Sequence, residues 1–187
     1  MEGRNLVTFA DEAEVLHVTV RRRLPFRAVN RPDMPGYRKD MQRHHLLPRQ
    51  VLRAKCFNAM FTAIGCERIG FEDFRANGLL LPASADAVLA TGLPLHRGPH
   101  RIYNDLVAER VGQMEAHWRG ASIRTPTLAR EDTLLRIDLL QRALRRRLMQ
   151  GEKRGFTLNR FDPFRAGVDF TELDAMADVL WSASADD

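Results

Sequence analysis

The clearest apolar rhythm along the chain is helical. From Pro48, the residues Val51, Leu52, Cys56, Met60 and Ile64 recur about one turn apart, Pro48 suits a first turn and Gly65 a stop, so an amphipathic helix is expected over 48–64. A second helix is expected from Pro99 to Trp118, with Ile102, Leu106, Val107, Val111 and Met114 on one face. A longer one runs from about Ala129 to Gln150, where Leu134, Leu135, Ile137, Leu140, Leu144 and Leu148 repeat and Gly151 supplies the end. Asp86–Ala90 adds one helical turn, and Glu172–Trp181 a further short helix.

Strand signals are shorter. Residues 4–24 alternate weakly, with Val15, His17 and Thr19 against Leu16, Val18 and Val20, as a strand or hairpin does. Pro25–Gly36, with three prolines and Asn30, reads as a loop. In NGLLLP, Asn77-Gly78 predicts a turn and Leu79–Leu81 a short buried strand. Mixed helices and short strands make the expected fold class α+β, with one core. Three regions are expected: an N-terminal extension over 1–40, a core over 41–118, and a mainly helical C-terminal region over 119–187 with an acidic end.

Composition narrows the class. With 44% apolar and 28% charged residues the chain has the balance of a globular protein, and no apolar run approaches the roughly 20 residues of a membrane span. The N-terminus lacks the plan of a signal peptide, so a cytoplasmic product and no membrane partner are expected. Two cysteines, Cys56 and Cys66, exclude a disulfide framework and a four-cysteine zinc knuckle, and both are expected to be buried free thiols. Seven acids against Arg165 give residues 161–187 a formal charge of −6, so the overall +5 leaves +11 on residues 1–160. That body suits a polyanion. Arg142, Arg145, Arg146 and Arg147 form a basic patch that suits either a second stretch of nucleic acid or solvent beside the negative end of a helix dipole. The acidic end is expected to be solvated.

Candidate chemistry rests on histidines. His44 and His45 are adjacent before LLP, Asn77 precedes a short strand, and His96 and His100 flank a helix start; His17 and His117 are expected to be structural. No Walker loop, serine nucleophile elbow or dinucleotide fingerprint is present. The order of HHLLP, NGLLLP and LHRGPHRIYN resembles the HNH/endonuclease VII superfamily, and more closely its nuclease family named for an Ala-His-His signature. Arg43 stands where that signature has alanine, and the resemblance spans about His44 to Val107.

The resemblance implies a small ββα-metal core wrapped by helices and an endonuclease that hydrolyses DNA to a 5′-phosphate and a 3′-hydroxyl. It also implies His45 as general base, a task for which a neutral imidazole near neutral pH is suited. Asn77 is placed by the same resemblance to orient His45, and His44 to hold one divalent ion. His100 and Asn104, four apart, are candidates for the remaining ligands, and His96 for a ligand or a phosphate contact. Imidazoles suit Zn2+, Ni2+ or Mn2+, and a mixed His and Asn shell also admits Mg2+. Arg43, Arg49, Arg97 and Arg101 are expected at phosphates, Arg97 and Arg101 foremost, and Tyr103 packs beneath the site or touches substrate. Relatives of this kind serve as bacterial toxins or as phage and defence enzymes, and a toxin implies an immunity-type partner protein. An RNase on the same scaffold and a non-catalytic nucleic-acid-binding module are the alternatives.

Overall fold

The structure is a computed structural model that describes residues 23–98, 100–150, 158, 159 and 161–163. The expected strand at 4–24 lies outside these residues except at its last two, and the expected helix at 172–181 lies outside them altogether. The fold is α+β. A two-stranded antiparallel sheet pairs β1 (Met41–His45) with β2 (Gly78–Pro82), His44 opposite Leu79 and His45 opposite Gly78. Among the described residues, seven helices surround it: α1 (Arg49–Arg53), α2 (Asn58–Ile64), α3 (Cys66–Ile69), α4 (Phe74–Asn77), α5 (Ala85–Thr91), α6 (Arg101–Ser122) and α7 (Pro126–Met149).

The segment expected as one helix over 48–64 is broken. Ala54 is extended at φ −71°, ψ 116°, a 3-10 turn covers Lys55–Phe57, and only then does α2 begin. At about 100° per residue, an unbroken helix would set Val51 nearly opposite the stripe of Phe57, Met60, Phe61 and Ile64. The break rephases the chain so that Val51 and that stripe are buried together in the core. It also turns Cys56 outward. Cys56 and Cys66 are both exposed, contrary to the expectation of buried thiols.

Helix α6 begins at Arg101 and runs through Gly120 to Ser122, beyond the end at Trp118 expected for it. Its buried line is Tyr103, Val107, Val111 and Glu115, repeating every four residues, whereas Ile102 is 80% exposed and does not belong to the face expected for it. Glu115 is buried beside Arg119, which donates to its carboxylate. Helix α7 starts at Pro126, whose missing N–H costs nothing in a first turn. It buries Ala129, Thr133, Ile137, Gln141, Leu144 and Leu148 and leaves Leu135 exposed. No helix among the described residues is long and apolar enough to cross a membrane.

Asn77-Gly78 is not a hairpin turn. Asn77 ends α4 and Gly78 begins β2, so the two strands are joined through residues 46–77 with four short helices between them. Gly78 is required for packing: a Cβ built there would lie 2.1 Å from a Phe74 ring carbon. The Phe74 ring therefore covers Gly78, the position paired with His45.

Candidate metal centre and active site

Successive side chains leave a strand on opposite faces, and the end of β1 uses this for its two histidines. His44 is 3% exposed and turns into the fold, where its ring meets His96, His100 and Tyr103 at centroid distances of 4.8, 5.7 and 5.0 Å. His96 lies in the irregular stretch after α5, held beside the end of β2 by its N–H donating to the Pro82 carbonyl at 2.7 Å. His100 is the N-cap of α6. The intervening Gly98 has φ +81°, and across that bend the His96 and His100 rings come within 4.5 Å.

The ligand-capable atoms of His44, His96 and His100 all lie within 4.8 Å of one another. His96 Nδ1 is 3.2 Å from Gln42 Oε1 and His100 Nδ1 is 3.2 Å from the Leu158 carbonyl, so each ring has its Nε2 left to face the cluster. His44 Nε2 is buried with no hydrogen-bond partner. Burial, then the neighbouring His96 and His100, drive the His44 pKa down to about 2. Burial first, then His100 and His45, take His96 to about 4. Neutral imidazoles converging on a buried spot that holds an orphaned nitrogen fit a divalent cation.

His45 faces the other way. Its ring stacks on Phe26 with centroids 3.8 Å apart and planes 4° from parallel. Its Nε2 is also buried without a partner, and burial is the main cause of a pKa below the usual histidine value; Glu72 opposes that shift, while Arg49 and Arg43 add to it. The ring sits in a cleft of about 510 Å3 lined by Pro25, Phe26, Arg27, Arg43, Arg49 and Glu72. A proton taken up by His45 would oppose protonation of both His44 and His96, so cleft and cluster are electrostatic neighbours.

Asn77 does not reach the His45 ring: its Oδ1 accepts from Leu47 N at 2.7 Å, and its Nδ2 donates to the Leu47 and Phe71 carbonyls at 3.2 Å each. The carboxamide clamps the turn just after the histidine pair, and the Asn77 carbonyl accepts from Leu46 N at 2.8 Å. Tyr103 is 2% exposed and donates to the Leu46 carbonyl at 2.6 Å, so it packs beneath the histidine cluster. Asn104 lies a turn beyond His100 with its amide nitrogen donating to Gln50 Oε1 at 3.2 Å. Arg43 spends one guanidinium nitrogen on the Phe26 and Val29 carbonyls, while Arg97 and Arg101 are exposed on either side of His100. His117 is exposed and lies 3.4 Å from Asp132.

Three residues escaped sequence reasoning. Phe26 and Arg27 come from a loop without periodicity, and Gln141 sits in a helix among leucines. Gln141 is 4% exposed and donates to Asn77 Oδ1 and the Ile69 carbonyl at 3.3 Å each, tying α7 to the clamp. Its interruption of an apolar stripe was the one available signal.

Comparisons with curated proteins and with solved structures found no match. A family model does match, over residues 26–144, and describes a nuclease family of the HNH/ENDO VII superfamily with a conserved AHH. The match takes in the Phe26 loop, both strands, all three clustered histidines and Gln141. It covers well over half of the chain, which therefore belongs to the AHH family of nucleases, with Arg43 in place of the alanine of its signature.

Proposed function

We propose that this nuclease is a divalent-metal-dependent endonuclease acting on DNA, with His45 as general base and His44, His96 and His100 as ligands of one ion. The observation that carries the reading is the split at the end of β1, one imidazole entering a trio of histidines and its neighbour entering a cleft walled by arginines. The ion, when bound, supplies positive charge to the phosphate and the departing 3′ oxygen. His45 removes the proton of the attacking water with a ring nitrogen that carries none of its own. Its stack on Phe26 keeps the ring in one orientation, and its burial keeps it neutral. Arg27 and Arg49, both exposed at the cleft, hold the phosphodiester backbone. Arg97 and Arg101 contact flanking phosphates, and the Asn104 oxygen is a further candidate ligand. Asn77 acts on the pair indirectly, through the backbone of Leu46 and Leu47.

A nicking assay on supercoiled plasmid, run with a panel of divalent ions and with chelator, tests the reading. Nicking by the wild type that needs a divalent ion and is lost in His45→Ala supports it; activity that survives both chelation and the substitution overturns it. Structured RNA assayed in parallel and cut faster than plasmid would overturn the choice of DNA.

A further inference from the structure

We propose that a short stretch beyond α7, carried by Leu158, Asn159 and Asp162, is a positioning element for the metal ligands His96 and His100. The inference rests on the three-histidine reading above and adds to it a part of the chain that lies past residue 144, where the family match ends.

The two ligands sit in or at the end of a segment without regular structure, between α5 and α6. On one side it is fixed to the sheet, by the bond from His96 N to the Pro82 carbonyl and by the contact of His96 Nδ1 with Gln42 Oε1. Its other side is fixed from the C-terminal stretch. Leu95 N donates to Asp162 Oδ2 at 2.7 Å, just before His96. Asn159 Nδ2 donates to the Arg97 carbonyl, just after it. His100 itself is engaged through Nδ1 by the Leu158 carbonyl at 3.2 Å. A carbonyl only accepts, so this contact sets the proton on Nδ1 and leaves the Nε2 lone pair for the ion.

The stretch is built to hold that shape. Phe161 N donates to Asn159 Oδ1 at 2.8 Å and Asp162 N to the Asn159 carbonyl at 3.2 Å, closing it on itself. Leu158 is 6% exposed and belongs to the main core cluster. Asp162 is 2% exposed, and a carboxylate that deeply buried is retained where donors meet it. The donors it meets include the backbone of the ligand loop.

Calorimetric titration of the chelator-treated full chain with Zn2+ or Ni2+ tests the inference, with the melting temperature of each metal-free variant measured alongside. Asp162→Ala and Asn159→Ala are expected to weaken metal binding about tenfold, the lower end of what losing such outer contacts costs. Asp162→Asn keeps an oxygen for Leu95 N and is expected to stay near wild-type affinity. A purely structural role would lower the metal-free melting temperature and leave affinity alone. Wild-type affinity in both alanine variants, with binding lost in His44→Ala, overturns the proposal and spares the three-histidine reading. Absence of binding by the wild type, or equal binding by His44→Ala, overturns that reading instead. Should Asp162→Ala fail to fold, Asn159→Ala, which removes a half-buried side chain, still decides the matter.

Discussion

The His45 ring lies parallel to the Phe26 ring with 3.8 Å between centroids, and this contact joins a residue of the N-terminal loop to the last residue of β1. Phe74 meets Phe26 edge-on at 5.2 Å, so two aromatic rings in succession back the imidazole. Removing the ring that His45 rests on frees its orientation without touching the three-histidine cluster. Phe26→Ala is expected to lower kcat by about tenfold or more, since small misplacements of reacting groups are costly. Metal affinity should be unchanged. Steady-state kinetics with a metal titration checks this, and wild-type kcat in Phe26→Ala would show that the stack does not position the base.

The opposite faces taken by His44 and His45 predict separable defects. His44→Ala removes one of three converging nitrogens and is expected to weaken metal binding strongly. His45→Ala leaves all three and is expected to bind metal normally while turnover falls about 10²–10⁴-fold. Calorimetry and plasmid nicking on the same preparations separate the two, and the reverse pattern would exchange their roles.

How much of this was legible in the chain depends on whether the determining contacts are local. The histidine pair, the strand at Leu79–Leu81 and the long helices follow from short-range pattern, and the structure has them close to where the pattern puts them. The break at Ala54 follows from a phase conflict between Val51 and the Phe57–Ile64 stripe that only tertiary burial resolves. The misjudged Ile102 has the same origin, because Tyr103 takes the inward position to reach the Leu46 carbonyl. Phe26, Arg27 and Gln141 reach the site across 18 or more residues of chain, from a loop and from a distant helix, and no spacing rule connects such positions.

Asn77 is fully buried and satisfied on both ends of its carboxamide. Asn77→Ala leaves Leu47 N, the Leu47 carbonyl and the Phe71 carbonyl short of partners, at about 1–3 kcal/mol for each group left unpaired in the interior. A loss of about 3 kcal/mol in stability is expected from urea unfolding, together with reduced nicking. Asn77→Asp should be no better, because its second oxygen would face two carbonyls. A stable Asn77→Ala protein would mean that the clamp is dispensable.

Gly78 is occupied from above by Phe74, and its φ of −112° is open to any residue, so its requirement is steric. Gly78→Ala is expected to cost about 1–3 kcal/mol as an overpacked position does, and to push Phe74 against Phe26. The stack beneath His45 then shifts, so kcat should fall in this variant as well. Unfolding and kinetics together check the link, and lost stability with unchanged kcat would uncouple Gly78 from the base.

Metal-free protein should be sensitive to mild acid through the histidine cluster. An unfolded histidine takes up a proton as pH falls through about 6.5, whereas folded His96 resists until about 4 and folded His44 until about 2. Between those values the unfolded chain binds more protons than the folded one, so stability falls as pH falls. The loss begins near pH 6.5, accumulates down to about 4 from both residues, and continues below that from His44; His45, whose folded pKa is also lowered, adds in the same direction. Carboxylates act at lower pH, so the upper part of this window belongs to histidine. Urea midpoints of the chelated protein are expected to drop steadily from pH 7 to pH 4. His96→Gln, which removes one of these groups, should flatten that slope even if it lowers the midpoint at pH 7. An unchanged slope in His96→Gln would show that His96 does not carry the acid sensitivity.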